Sequence, residues 1–113
     1  MRARMLAIAA VAGLVAAGSV SAAVTAKRVF GSVGPGFTIT FGPKKLAPGK
    51  YTFVIRDKAT SHNWHLKGPG TNKDLTSVGG TGTKSVTVTL KKGKYTFYCV
   101  PHSSSLRGTF KVA

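Results

Sequence analysis

Beyond its first two dozen residues the chain alternates apolar and polar side chains in short stretches. Each stretch is stopped by glycine, proline or charge, and none sustains the roughly 3.6-residue period of an amphipathic helix. Alternation gives a strand one buried and one wet face, so a succession of such strands predicts two sheets packed face to face. Residues 26–33 read as a first strand, ended by Gly34-Pro35-Gly36. Residues 37–41 alternate cleanly, with Phe37, Ile39 and Phe41 on one face, before a basic loop over 43–49 that closes on Pro48-Gly49. Residues 50–56 put Tyr51, Phe53 and Ile55 on one side, and after a loop over 57–61 residues 63–67 carry Trp64 and Leu66 on one face. A glycine-rich loop over 68–83 has room for a short edge strand. Residues 85–90 point Val86, Val88 and Leu90 inward, residues 95–99 do the same with Tyr95, Phe97 and Cys99, and residues 107–112 with Phe110 and Val112. The expectation is an all-β antiparallel sandwich of seven to eight strands, with the Cys99 thiol pointing into its interior.

The first residues have a different character. Arg2 and Arg4 precede an almost wholly aliphatic run over 5–17, followed by small residues around Val20-Ser-Ala22, the layout of a secretory leader. The run falls short of the roughly 20 residues that span a bilayer as a helix. Cleavage after Ala22, Ala23 or Ala26 fits equally well. A leader over 1–22 and one domain over 24–113 are expected, in an exported, periplasmic or extracellular protein.

An exported domain of this size often relies on disulfides, yet Cys99 is the only cysteine in the chain. An intermolecular bridge and an incidental buried thiol are the plain readings. The surroundings favour metal ligation. His102 lies three residues on, across Pro101, which lacks an N–H and restricts φ, stiffening the link between the two side chains. His62 lies thirty-seven residues upstream in Ser61-His62-Asn63-Trp64-His65. A thiolate with two imidazoles is a His₂Cys set, which suits copper and matches electron-transfer copper sites. His65 falls on the opposite face from Trp64 and Leu66 and reads as an exposed strand residue, not a ligand.

Here a resemblance is plain. Ser-His62-Asn63-Trp-His, and Tyr-Thr-Phe-Tyr-Cys99-Val-Pro101-His102 closing on Arg107-Gly108, resemble the two motifs of the cupredoxins, the small blue-copper proteins, most of all their plastocyanin and amicyanin branch. The resemblance covers about residues 37–112 and implies a Greek-key sandwich holding one type 1 copper ion on His62, Cys99 and His102. It implies that Asn63 ties the loop of the first ligand to that of the cysteine by hydrogen bonds. One position departs from the family pattern. Where an axial methionine is usual this chain has Leu106, which cannot ligate, and both its methionines, Met1 and Met5, lie in the leader. Loss of a weak axial donor favours the reduced ion and predicts a higher potential.

Function follows from what such a site needs. An electron carrier requires a shielded metal, a ligand set that changes little, and a surface for brief docking. Copper storage, delivery or sensing is the alternative, although a buried thiolate suits exchange poorly. An enzyme is not expected: Asp57 and Asp74 are the only acids, both in predicted loops. Removing Arg2 and Arg4 from the 17 basic residues leaves 15 against two acids, a net of about +13. Such a field suits a redox partner with an acidic docking surface, or association with an anionic membrane or cell wall. No motif points to specific nucleic-acid binding. A monomer is expected.

Overall fold

The computed structural model describes residues 25–113; the leader expected over 1–22 lies outside them. Nine strands follow in order: β1 (Lys27–Val33), β2 (Ile39–Phe41), β3 (Lys45–Leu46), β4 (Gly49–Asp57), β5 (His65–Gly68), β6 (Thr71–Asp74), β7 (Gly82–Leu90), β8 (Gly93–Tyr98) and β9 (Arg107–Val112). A single 3₁₀ turn, Val100–His102, links the last two. The strands form a four-stranded sheet in the order β2-β1-β4-β7 and a five-stranded sheet in the order β3-β9-β8-β5-β6. Among the described residues no helix is long and apolar enough to cross a membrane.

The inward-facing side chains are those the alternation picks out: Tyr51, Phe53 and Ile55 from β4, Val88 and Leu90 from β7, Tyr95 and Phe97 from β8, Phe110 and Val112 from β9. Burying each contributes about 1.5–3 kcal/mol. Aromatic rings dominate where the sheets meet. Trp64 stacks on Phe97 with centroids 5.0 Å apart, Phe41 on Phe53 at 5.3 Å and Tyr95 on Phe110 at 5.3 Å. The Trp64 indole N–H, buried with its ring, donates to the Thr40 carbonyl at 3.1 Å.

Four features depart from the sequence expectation. The sandwich is mixed, not wholly antiparallel. After β2 the chain lends two residues to the other sheet as β3 and returns as β4, so β1 and β4 run parallel, as do β3 and β9. The segment read as a basic loop thus holds strand β3, secured by Lys111 N–H donating to the Lys44 carbonyl and Ala113 N–H to that of Leu46. Neither acid lies in a loop. Asp57 ends β4, 3 % exposed, and Asp74 ends β6, the short edge strand for which the 68–83 loop had room. Phe37, expected inward with Ile39 and Phe41, stands outside β2 and is 57 % exposed, because the strand begins only at Ile39.

Candidate metal centre

One end of the sandwich gathers the chemistry. Strand β8 runs inward-facing at Tyr95 and Phe97, and the same parity carries the Cys99 side chain, one residue past the strand, into complete burial. Cys99 N–H donates to the Leu106 carbonyl at 3.0 Å, closing the ladder just before the chain leaves it. His102 N–H then donates to the Cys99 carbonyl at 3.1 Å, and Leu106 N–H to that of His102 at 2.8 Å. Residues 99–106 are therefore a loop pinned to itself by backbone bonds, with Pro101 inside its 3₁₀ turn. This is why a histidine three residues from a cysteine comes back to face it.

His62 arrives from the other side, on the segment before β5. Its neighbour Trp64 is anchored through its backbone: Trp64 N–H donates to Thr76 Oγ1 at 2.9 Å, and the Trp64 carbonyl accepts from Leu75 N–H at 2.8 Å. The His62 ring is 3 % exposed. Cys99 Sγ lies 3.7 Å from His62 Nδ1 and 3.5 Å from His102 Nδ1, and the three donor atoms all fall within 4.8 Å of one another. His102 is half-buried, so one imidazole of the group reaches toward the surface.

Asn63, beside His62 and 1 % exposed, accepts the Val100 N–H on its Oδ1 at 2.8 Å and so bonds the His62 segment to the residue after Cys99. Leu106 is buried in the same apolar cluster as Cys99. His65 stands apart from the three-donor group. It is not the exposed strand residue the alternation suggests: its side chain is only 12 % exposed, covered by Asp74 and Asn72 of the edge strand and by the Tyr98 ring at 4.9 Å. Phe37 is the residue that sequence reasoning missed. Its ring meets that of His102 edge-on at 4.7 Å and that of His62 at 5.3 Å, roofing both imidazoles. No periodicity could reveal this, because Phe37 sits on a bend and owes its place to the fold.

The donor set fits a metal of intermediate softness. A buried thiol faces two imidazole nitrogens at these distances, and three such donors match copper. The family comparison agrees. A model of the copper binding proteins of the plastocyanin/azurin family matches residues 32–113, and the chain belongs to that family. The cluster of His62, Cys99 and His102 in such a chain fits one type 1 copper ion.

Solved structures share the fold. The azurin Az-iso2 of Methylomonas sp. strain J is 19 % identical with a TM-score of 0.54, covering 79 % of this chain and 99 % of that one. Reduced rusticyanin is 17 % identical with a TM-score of 0.55, over 76 % and 78 % of the two chains. A chain from a heme-copper terminal oxidase dimer is 20 % identical with a TM-score of 0.55, over 77 % and 65 %. No curated protein matches by sequence. Family and cluster together support a type 1 copper protein of the electron-carrier kind.

Proposed function

We propose that the protein is an exported blue-copper electron carrier in which His62, Cys99 and His102 hold the metal and Leu106 occupies the axial position without ligating. The observation that carries this is the convergence of a fully buried thiol and one nitrogen from each of two imidazoles within 4.8 Å of one another. A bound copper ion would supply one-electron redox chemistry, and the chain's own residues account for the rest. Cys99 and His62 are shut from solvent, which opposes ligand exchange and so favours a carrier over a delivery or storage protein. The self-bonded 99–106 loop holds two of the three donors in one geometry, as a carrier needs in both oxidation states. Half-buried His102, beneath exposed Phe37 and beside exposed Val100, is the donor nearest to a docking partner.

A hydrocarbon has no lone pair, so the Leu106 side chain offers copper nothing, while its carbonyl accepts from Cys99 N–H. A missing axial donor favours the reduced ion, giving a higher potential than a thioether would. No enzymatic role is proposed: Asp74 is held by His65 and Asn63, and Asp57 is buried away from solvent. The partner is read as a redox protein with an acidic docking surface, met by a monomer exported to the periplasm or beyond. Attachment to an anionic membrane or cell wall would use the same charge.

The test is Cu(II) titration of the domain from about Ala23 onward, followed by visible absorption and electron paramagnetic resonance. An intense thiolate-to-copper band with narrow hyperfine splitting, lost in Cys99→Ser, is the expected result. A colourless protein, or copper bound equally well without Cys99, would sink the reading.

A further inference from the structure

The Asn63 side chain is an amide buried to 1 % exposure, and both of its ends are occupied. Oδ1 accepts from Val100 N–H at 2.8 Å, while Nδ2 donates to Asp74 Oδ1 at 2.8 Å. A buried amide without a partner at one end would either turn over or carry an unsatisfied group. An ionised carboxylate can only accept and a backbone N–H can only donate, so Asp74 and Val100 together fix which way this amide faces, with Oδ1 toward Val100. Val100 opens the 3₁₀ turn between Cys99 and His102, so the bond acts where the two donors are joined.

Asp74 is not held there by burial, since its side chain is 55 % exposed. It is held by His65, whose Nδ1–H donates to the same Oδ1 at 2.6 Å. Strand register brings the two together: His65 lies directly opposite Asp74 on the edge strand, and opposite Tyr98 on the inner one. The imidazole is fixed in turn by the Tyr98 ring and by the side-chain amide of Asn72, 2.7 Å from Nε2. Hydrogen bonds to an ionised acceptor are stronger than neutral ones, and in series they polarise one another. Asp74 is one of only two acids in a chain with 17 basic residues.

We propose that Asp74, pinned by His65, is a positioning residue for the metal centre, acting through Asn63 on the backbone at Val100 and so on the relative placement of Cys99 and His102. The inference deepens the copper reading and rests on it for its redox consequence. Groups that orient ligands from outside are known to tune a metal's affinity and potential.

The experiment compares Asp74→Asn, Asp74→Ala and His65→Gln with the wild type, each as the apoprotein and after copper loading. In the apoprotein, amide hydrogen exchange at Val100 should accelerate by about tenfold in Asp74→Ala, equivalent to roughly one ordinary hydrogen bond, with Phe97 unchanged. In the copper form the hyperfine splitting and reduction potential should shift in both Asp74 variants, and less in His65→Gln. If melting temperature alone falls, while Val100 exchange, spectrum and potential keep wild-type values, Asp74 is merely a residue of the β5–β6 hairpin and the proposal is overturned. Should Asp74→Ala fail to fold, Asp74→Asn, which preserves shape, decides on the same readouts. If the wild type takes up no copper, the electron-carrier reading falls, and Val100 exchange by itself decides the positioning role.

Discussion

Gly108 faces Phe97 directly across the β8–β9 ladder, and a Cβ placed on it would collide with the Phe97 ring. Gly68 stands in the same relation to Tyr95. Both rings fold over a neighbouring glycine, which lets large side chains lie flat where the sheet passes close to the core. Gly108→Ala should therefore cost about 1–3 kcal/mol, the usual penalty for overpacking, read as a lower midpoint in denaturant. Because Gly108 is the second residue of the return strand after the metal loop, that variant should also broaden the copper spectrum. Leu106 makes a different prediction. Leu106→Met introduces a thioether of similar volume, so stability should change by less than about 1.5 kcal/mol while the reduction potential falls. Cyclic voltammetry of the two proteins side by side checks this, and an unchanged or raised potential contradicts the axial assignment.

At the scale of elements, the short strands decide more than the long ones. The two residues of β3 close one side of the five-stranded sheet, and the four residues of β6 bring Asp74 to His65 and Asn63. The arrangement has a cost. Register sets Lys94 opposite Lys111, and Lys111 opposite Lys45, so three exposed like charges lie in a row across three strands. Like charges directly opposite destabilise a sheet, so Lys111→Glu should stabilise by about 0.2–1 kcal/mol per pair relieved. Thermal melts at low and high salt check it: the gain should shrink as salt rises, because exposed charges are screened. These elements were unevenly legible in sequence. The alternating strands announce themselves, as does the inward parity of Cys99. A two-residue strand leaves no period to read, and β3 exists only because β9 runs beside it.

The whole molecule carries its charge almost without compensation. Of its two acids, Asp57 is buried and Asp74 is engaged by His65 and Asn63, while Lys67, Lys94 and Arg107 line one shallow groove that also reaches Ser103 of the metal loop. Long-range attraction of this kind raises association rates and is lost to screening. The rate of electron exchange with an acidic partner should therefore fall steeply between low and physiological ionic strength. Stopped-flow measurement over a salt series checks this, and a flat profile would show that the charge serves something other than encounter. Neutralising Lys67, Lys94 and Arg107 together should weaken the salt dependence more than neutralising three lysines remote from the metal loop, if the groove lies in the docking surface.

What the sequence determined by itself is what local chemistry can express. Alternation marked the faces of the longer strands, turn residues marked most of their ends, and the proximity of Cys99 to His102 across a proline pointed to a metal. His62 could be nominated by its motif, but its approach to Cys99, from thirty-seven residues away, is a tertiary fact. So are the placing of Phe37 over both imidazoles, the parallel pairing of β1 with β4, and the path from Asp74 through Asn63 to Val100. Each depends on which strands become neighbours. Residue type and spacing specify what a side chain can donate, accept or bury, whereas crossovers and register decide what it meets.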